Sequence, residues 1–100
     1  MKRLPIARAS RAEDDLIEIW LYVAQDSPTA ADRLLDRIET RCQQLSTLPF
    51  SGMARNDLLP EARHLVVDNH LIFYKVEKNE IVVLRVLDGR RNIAAKDLEV

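Results

Sequence analysis

Residues 63–87, RHLVVDNHLIFYKVEKNEIVVLRVL, decide the fold class of this chain. They contain three runs rich in β-branched and aromatic residues, which favour β-strands. The pairs Asp68-Asn69 and Lys78-Asn79 separate these runs and are typical of two-residue turns. The sequence therefore predicts a three-stranded antiparallel meander.

Two-residue turns also predict which residues face each other across the meander. The expected pairs are Arg63 with Tyr74, Leu65 with Ile72, Tyr74 with Val83, and Ile72 with Arg85. One face is then nearly all apolar, and we expect the helices to pack on it: His64, Val66, Leu71, Phe73, Val82, Leu84 and Val86. The opposite face carries Arg63, Leu65, Val67, His70, Ile72, Tyr74, Ile81, Val83, Arg85 and Leu87. A slip of one residue in either turn would exchange the two faces.

Two helices are predicted before the meander. Ser10 and Glu13 have the spacing of a capping box. An apolar stripe follows them at helical spacing: Leu16, Ile17, Trp20, Val23 and Ala24. Ser27 and Pro28 mark a second helix start, and the stripe of that helix comprises Ala31, Leu34, Leu35, Ile38, Cys42 and Leu45. The short connection between the two predicts an antiparallel helical hairpin, which ends before Pro49.

The remaining segments complete the expected architecture. Residues 3–9 contain Pro5 and predict a short edge strand, residues 49–62 predict a loop, and residues 92–100 are compatible with a short helix. We therefore expect one α+β domain spanning residues 1–100. It has an N-terminal edge strand and an antiparallel helical hairpin packed on one face of a small, mainly antiparallel sheet.

Composition narrows the classes of function. The formal net charge of −1 argues against direct nucleic-acid binding, because nonspecific affinity depends on the release of many counterions. Cys42 is the sole cysteine, which excludes an internal disulfide and a cysteine-based metal cluster. No apolar run approaches the roughly 20 residues that span a bilayer, and the first residues lack the apolar stretch of a signal peptide. We expect a cytoplasmic protein with no membrane partner.

Basic residues gather at the end of the third strand. Arg85 has the planar donor geometry that suits bidentate binding of a carboxylate or a phosphate. Arg90, Arg91 and Lys96 follow it in the sequence. The alternative interpretation is a solvated strand end, with the stem of Arg85 lying along the sheet margin.

The sequence contains no recognisable catalytic motif. His64 and His70 have no nucleophile or carboxylate motif beside them, so we expect structural roles for both. Trp20 and Cys42 lie on helical apolar stripes and are expected in the core. Phosphate-binding glycine loops, zinc-ligand spacings and nucleophile elbows do not occur. We predict no catalytic residues, no metal and no cofactor.

A helical hairpin covers only one face of a sheet, which leaves the other face of the meander for a partner. On that face Leu65, Ile72, Val83 and Leu87 would lie beside Arg63, Tyr74 and Arg85. We expect the C-terminal tail to cover it in part and an amphipathic segment of another protein to cover the rest.

Two longer stretches carry a resemblance to a known family: EDDLIEIWLYVAQDSPTAADRLLDRI, residues 13–38, and LIFYKVEKNEIVVLRVLDGRRN, residues 71–92. They resemble the RelE/ParE superfamily of small bacterial toxins, specifically its ParE, or plasmid-stabilisation, branch. The most specific positions are Asp15, Leu16, Ile19 and Trp20, then Ala31-Asp32-Arg33, and finally residues 71–74 and 84–91. The similarity covers nearly the whole chain with its elements in the same order.

The resemblance implies the toxin of a type II toxin–antitoxin system, neutralised by a ParD-like antitoxin whose C-terminal segment wraps the toxin. The predicted antitoxin-binding residues are Arg63, Leu65, Ile72, Tyr74, Val83 and Arg85, and we expect an acidic, amphipathic segment to cross them. ParE-like members are associated with inhibition of DNA gyrase, which implies gyrase as the target. The predicted target-binding residues are Arg85, Arg90, Arg91 and Lys96.

Two alternatives remain open. RelE-like members cleave messenger RNA on the ribosome with basic residues and a C-terminal tyrosine. Here Arg91 matches one basic position, but the tail NIAAKDLEV has no tyrosine and Leu71 stands where RNases have arginine, so only Arg63 and His64 would substitute. Departures from the ParE pattern at Asp88 and at Gly52-Met53 suggest the other alternative, a divergent protein that binds an antitoxin but is not toxic.

Overall fold

Two helices pack on a five-stranded sheet in the structure, a computed structural model that describes residues 3–99. The elements are β1 (Ile6–Arg8), α1 (Ser10–Ala24), α2 (Pro28–Gln44), β2 (Met53–Ala54), β3 (Arg63–Val67), β4 (His70–Glu77), β5 (Glu80–Asp88) and a 3-10 turn (Ala95–Leu98). The strand order is β1-β5-β4-β3-β2, with β1 parallel to β5 and the other pairs antiparallel. The predicted α+β class, N-terminal edge strand and helical hairpin are confirmed.

The start of α2 follows the predicted capping chemistry. The Ser27 hydroxyl accepts a hydrogen bond from the Ala30 N–H at 3.1 Å, and Pro28 occupies the first turn, where no backbone donor is needed. The helix ends at Gln44, before Pro49. No helix within residues 3–99 is both long enough and apolar enough to cross a membrane.

The start of α1 differs from the prediction. Ser10 is already helical, so the expected capping box with Glu13 is not formed, and Ala9 is the N-cap residue without a side-chain hydrogen bond. The Ala9 N–H donates instead to the Val83 carbonyl of β5 at 2.9 Å. The pairing of β1 with β5 therefore decides where α1 begins.

The predicted register of the meander is confirmed for three of its four pairs. Arg63 lies opposite Tyr74, Leu65 opposite Ile72, and Tyr74 opposite Val83. The fourth pair is wrong, because a bulge leaves Leu84 unpaired; Arg85 faces Phe73 and Val86 faces Ile72. A β-bulge inserts one extra residue into one strand, which shifts every later pair by one position.

The prediction of which face receives the helices is also wrong. The helices pack on the face of Leu65, Val67, Ile72, Tyr74, Ile81 and Val83, which Val86 joins because of the bulge. The buried core residues contributed by α1, α2 and the C-cap position of α2 are Ala12, Leu34, Ile38, Cys42 and Leu45. Burial raises the pKa of the Cys42 thiol to about 11, so the thiol is protonated at neutral pH.

The other face of the sheet is not left open. Phe73 and Leu87 form a second buried cluster with Ala62, from the loop before β3, and Leu98, from the 3-10 turn. The loop and the C-terminal turn thus cover the meander on the side away from the helices. The sheet face that was predicted to be uncovered lies beneath the helices, and the opposite face is covered in part, with Val66 left 54% exposed.

Candidate protein-docking site

Arg85 lies inside the fold and forms a buried ion pair. Its Nε and Nη2 donate to the two carboxylate oxygens of Asp15 at 2.7 and 2.8 Å, and its Nη1 donates to the Asp97 carbonyl at 2.7 Å. The hydrogen bonds to Asp15 raise the pKa of Arg85. With 8% of its surface exposed, this residue is not available to an antitoxin or a target. The structure therefore does not present Arg85 on the surface that either predicted binding role requires.

Asp15 also completes the edge of β5. Among the described residues, 3–99, strand β1 pairs with residues 81–83 of β5, and the backbone beyond Val83 has no strand partner on that side. The Asp15 carboxylate accepts the Val86 N–H at 2.9 Å while it holds Arg85. The pair therefore joins α1 to β5 and the C-terminal turn, which lie far from α1 in sequence.

The predicted antitoxin-binding residues do not form a surface. Leu65, Ile72, Tyr74 and Val83 are buried in the core beneath the helices. Only Arg63 is partly exposed, and its Nη1 donates to the carbonyls of Phe50 and Gly52 at 3.1 and 2.8 Å. These residues therefore do not form an exposed surface in this structure, and their role in antitoxin binding stays a prediction.

Tyr74 and Arg63 instead fix the loop that follows α2. The Tyr74 hydroxyl donates to the Pro49 carbonyl and accepts from the Gly52 N–H, both at 2.9 Å. Burial raises the pKa of this hydroxyl, so it remains a donor at neutral pH. A Cβ at Gly52 would lie 2.6 Å from the Tyr74 oxygen and 2.8 Å from the His64 carbonyl, so only glycine fits there.

The basic residues after β5 are on the surface, where they were expected. Arg90 donates to both carboxylate oxygens of Asp88, at 3.0 and 2.6 Å, and these bonds hold the pKa of Asp88 well below its usual range. Arg91 contacts the Asp97 carboxylate at 3.3 Å, and Lys96 is exposed. The structure brings these three residues to one end of the molecule, without the buried Arg85.

The two histidines occupy separate positions. Burial lowers the pKa of both His64 and His70. His64 lies 3.2 Å from an Arg55 guanidinium nitrogen, whereas Nδ1 of His70 is buried and has no hydrogen-bond partner among residues 3–99. Arg63 and His64 are consecutive in β3, so their side chains point to opposite faces of the sheet. They are therefore not placed to act on one phosphate, as RNA cleavage would require.

An apolar groove between the helices and β1 is the surface that the sequence analysis missed. Leu16, Leu35 and Ile38 line its deeper part beside β1. It continues along α1 past Trp20 to Ile17 and Leu21, whose side chains are 58% and 57% exposed. Ile17 was expected in the core. The signal was present as the i, i+4 pair of Ile17 and Leu21, which makes the apolar stripe of α1 wider than one packing partner needs.

The rim of this groove is charged. Arg8 and Glu39 form a salt bridge of 3.2 Å, while Glu13 and Asp36 have no cationic partner within residues 3–99. The Trp20 Nε1 donates to Asp32 at 2.8 Å and fixes the indole ring between the helices. The groove is therefore apolar along α1, and beside β1 it combines apolar side chains with charged ones among which negative charge is in excess. No group of three or more His, Cys, Asp or Glu side chains in the described chain is arranged to hold a metal ion.

Comparison with known proteins places the chain in a family. A family model for the ParE toxin of the type II toxin–antitoxin system parDE matches residues 6–93. Toxin ParE3 of Caulobacter vibrioides is 33% identical over 92 residues, which cover 91% of this chain and 92% of that protein. A chain of the chromosomal ParDE system from P. aeruginosa shares the fold, with a TM-score of 0.72, 23% identity, and coverage of 84% of this chain and 94% of that one. This chain therefore belongs to the ParE toxin family of type II toxin–antitoxin systems.

Proposed function

We propose that this toxin inhibits DNA gyrase by binding it, and that a ParD-like antitoxin neutralises the toxin by filling the groove between β1 and the helices. The observation that carries the proposal is the groove with apolar side chains beside β1, which is an outer strand of the sheet formed by residues 3–99. Family membership supports a cognate antitoxin, and the family's association with gyrase supports the target.

The free edge of β1 suggests how the antitoxin binds. Ile81 N–H donates to the Pro5 carbonyl and Ala9 N–H donates to the Val83 carbonyl, so alternate residues of β1 face β5. The backbone groups of Ile6 and Arg8 therefore point away from the sheet. An extended antitoxin segment would bond to them and place apolar side chains in the groove.

The charges at the rim predict the composition of that segment. Glu13 and Asp36 have no cationic partner in the described chain, so a lysine or arginine of the antitoxin would neutralise them. This reverses the acidic segment expected from the sequence, because that expectation depended on Arg63 and Arg85 being exposed together.

A charge placed in the groove tests the antitoxin site. Leu21→Glu would put a carboxylate against apolar residues and beside the negative rim, and we expect roughly 100-fold weaker binding of the antitoxin encoded by the neighbouring open reading frame. The matched control is Val66→Glu, since Val66 is similarly exposed, at 54%, and lies on β3 near the other edge of the sheet. Equal affinities of the two variants in titration calorimetry would exclude the groove.

Supercoiling by purified gyrase tests the target. We expect excess folded toxin to inhibit the reaction, and Arg90→Gln/Arg91→Gln/Lys96→Gln to weaken inhibition because cationic contacts are lost. The control Arg33→Gln/Arg37→Gln/Lys78→Gln removes the same number of positive charges from exposed positions on α2 and in the turn between β4 and β5. Normal supercoiling in the presence of wild-type toxin would reject gyrase as the target and favour the non-toxic alternative.

A further inference from the structure

A second apolar surface lies at the far edge of the sheet from the groove. Three large apolar side chains lie within six consecutive residues and are exposed: Leu48 at 59%, Phe50 at 64% and Met53 at 66%. The segment contains β2, the outermost strand next to β3, whereas the groove borders β1 at the opposite edge. Four strand spacings of about 4.8 Å separate the two edges by roughly 19 Å. We call residues 48–53, together with Arg63 and with Arg41 of α2, the loop patch, because the positive charges of both arginines act on the Tyr74 hydroxyl that bonds to Pro49 and Gly52.

The backbone of the loop patch is held by hydrogen bonds from the buried Tyr74 and the partly exposed Arg63. Tyr74 bonds to the backbone of Pro49 and Gly52, and Arg63 bonds to the carbonyls of Phe50 and Gly52. The Leu48 carbonyl accepts the Ser51 hydroxyl at 2.8 Å. Because the backbone is already ordered, a ligand that binds Phe50 and Met53 would lose little affinity to loop ordering.

The loop patch also carries positive charge without neutralisation. The Arg63 guanidinium lies 5.3 Å from the centre of the Phe50 ring, a cation–π arrangement, and Arg41 donates to the Gln44 side chain. Neither arginine has a carboxylate partner within residues 3–99, unlike Arg8, Arg37, Arg55, Arg85, Arg90 and Arg91. The surface therefore has exposed apolar side chains beside two guanidinium groups that can donate hydrogen bonds to an anionic ligand.

We infer that the loop patch is a second protein-docking surface, which binds an acidic segment containing an apolar side chain. The apolar residue packs against Phe50 and Met53, and a flanking aspartate or glutamate pairs with Arg41 or Arg63. A nucleic acid fits less well, since two cations release few counterions and the patch offers one aromatic ring for base stacking. Because the patch and the groove lie at opposite edges, both surfaces can be occupied at once.

Peptide selection on the full chain tests this inference independently of gyrase and of any antitoxin. A random 12-residue displayed library is selected on wild-type protein, on Phe50→Ser/Met53→Ser and on the groove variant Ile17→Ser/Leu21→Ser. We expect one group of peptides enriched in aspartate or glutamate and an apolar residue. These should bind wild type and the groove variant alike, and lose roughly tenfold or more affinity for Phe50→Ser/Met53→Ser.

Three further measurements make the test decisive. Arg41→Gln should weaken the acidic peptides several-fold, whereas Arg33→Gln, also on α2, should not. In wild-type protein the same peptides should shift the backbone NMR signals of residues 48–54, a result that does not depend on a variant folding. The inference is overturned if no selected peptide depends on Phe50 and Met53 for binding, or if the peptides that do so carry no acidic residue. It is also overturned if a 12-nucleotide oligo(dT) binds the wild-type protein but not Phe50→Ser/Met53→Ser.

Discussion

Two arginine–aspartate pairs in this molecule have nearly the same geometry but different surroundings. Arg85 and Asp15 bond through distances of 2.7 and 2.8 Å, and Arg90 and Asp88 through distances of 3.0 and 2.6 Å. The side chains of the first pair are 9% and 8% exposed, and those of the second are 74% and 36% exposed. Burial, and not bond geometry, therefore separates a pair that holds the fold from one that remains available to a partner.

The physical reason is the cost of removing charge from water. Each buried charge depends on its partner, because an unpaired charge in the interior has lost its hydration without compensation. An exposed pair is hydrated and screened whether or not its partner is present. Asp15 adds a third role, since it also accepts the Val86 N–H at the unpaired edge of β5.

Breaking the buried pair should produce the largest loss of stability. Arg85→Met leaves the Asp15 carboxylate buried without its cation, and we expect the free energy of unfolding to fall by about 3–5 kcal/mol in urea denaturation. The double variant Asp15→Leu/Arg85→Met removes both charges and should recover part of that loss. A single variant no less stable than the double would show that the pair is not desolvated.

Removing the buried, uncharged hydroxyl of Tyr74 should cause the second-largest loss of stability. Tyr74→Phe removes the hydroxyl that bonds to Pro49 and Gly52 and leaves their backbone groups without that partner. We expect the free energy of unfolding, measured by urea denaturation, to fall by about 1–3 kcal/mol. This loss is smaller than that of Arg85→Met because the substitution leaves no unpaired charge buried. Tyr22→Phe, on the exposed face of α1, is the matched control and should leave stability unchanged.

The partly buried His70 should give a smaller, pH-dependent effect on the free energy of unfolding. Burial lowers the pKa of His70 in the folded protein, with Arg90 acting in the same direction and Asp88 and Asp68 opposing it. The unfolded chain therefore binds more protons than the folded chain below the ordinary histidine value of about 6.5, and stability is lost as the pH falls through that range.

His70→Gln should make this loss shallower, by less than one proton in the slope of unfolding free energy against pH. The remaining slope reports His64, whose pKa is also lowered by burial, together with the carboxylates. The slope is measured by urea denaturation between about pH 5 and pH 8. An unchanged slope in the variant would show that the pKa of His70 is the same in the folded and the unfolded chain.

The exposed pair should show the smallest effect. Asp88→Asn removes the anion beside Arg90 but leaves the arginine hydrated, so we expect no measurable change in the urea midpoint. The same variant should strengthen gyrase inhibition if Arg90 contacts the target, because the guanidinium is released from its partner. A large loss of stability would mean that the Asp88–Arg90 pair, like the buried one, organises the fold.

The sequence predicts the apolar side chains of the candidate groove but not which of them are exposed. The apolar stripe of α1 was predicted, but its residues divide between the core and the surface: Leu16 is partly buried, whereas Ile17 and Leu21 are exposed. A helical stripe gives the direction of apolar side chains and not the width of the element that covers them. The two-residue strand β2 was missed because Met53 and Ala54 carry no period of their own.

The sequence by itself determined the helical hairpin, the three long strands and the first three cross-strand pairs, because capping residues, periodicity and two-residue turns act over a few neighbouring positions. Only the tertiary structure decided the bulge at Leu84, the face on which the helices pack, and the fate of Arg85. Those outcomes depend on contacts between residues as far apart as Asp15 and Arg85, 70 positions along the chain. An arginine in a strand has the same local pattern whether a partner protein or its own first helix supplies the carboxylate, and here α1 supplies it.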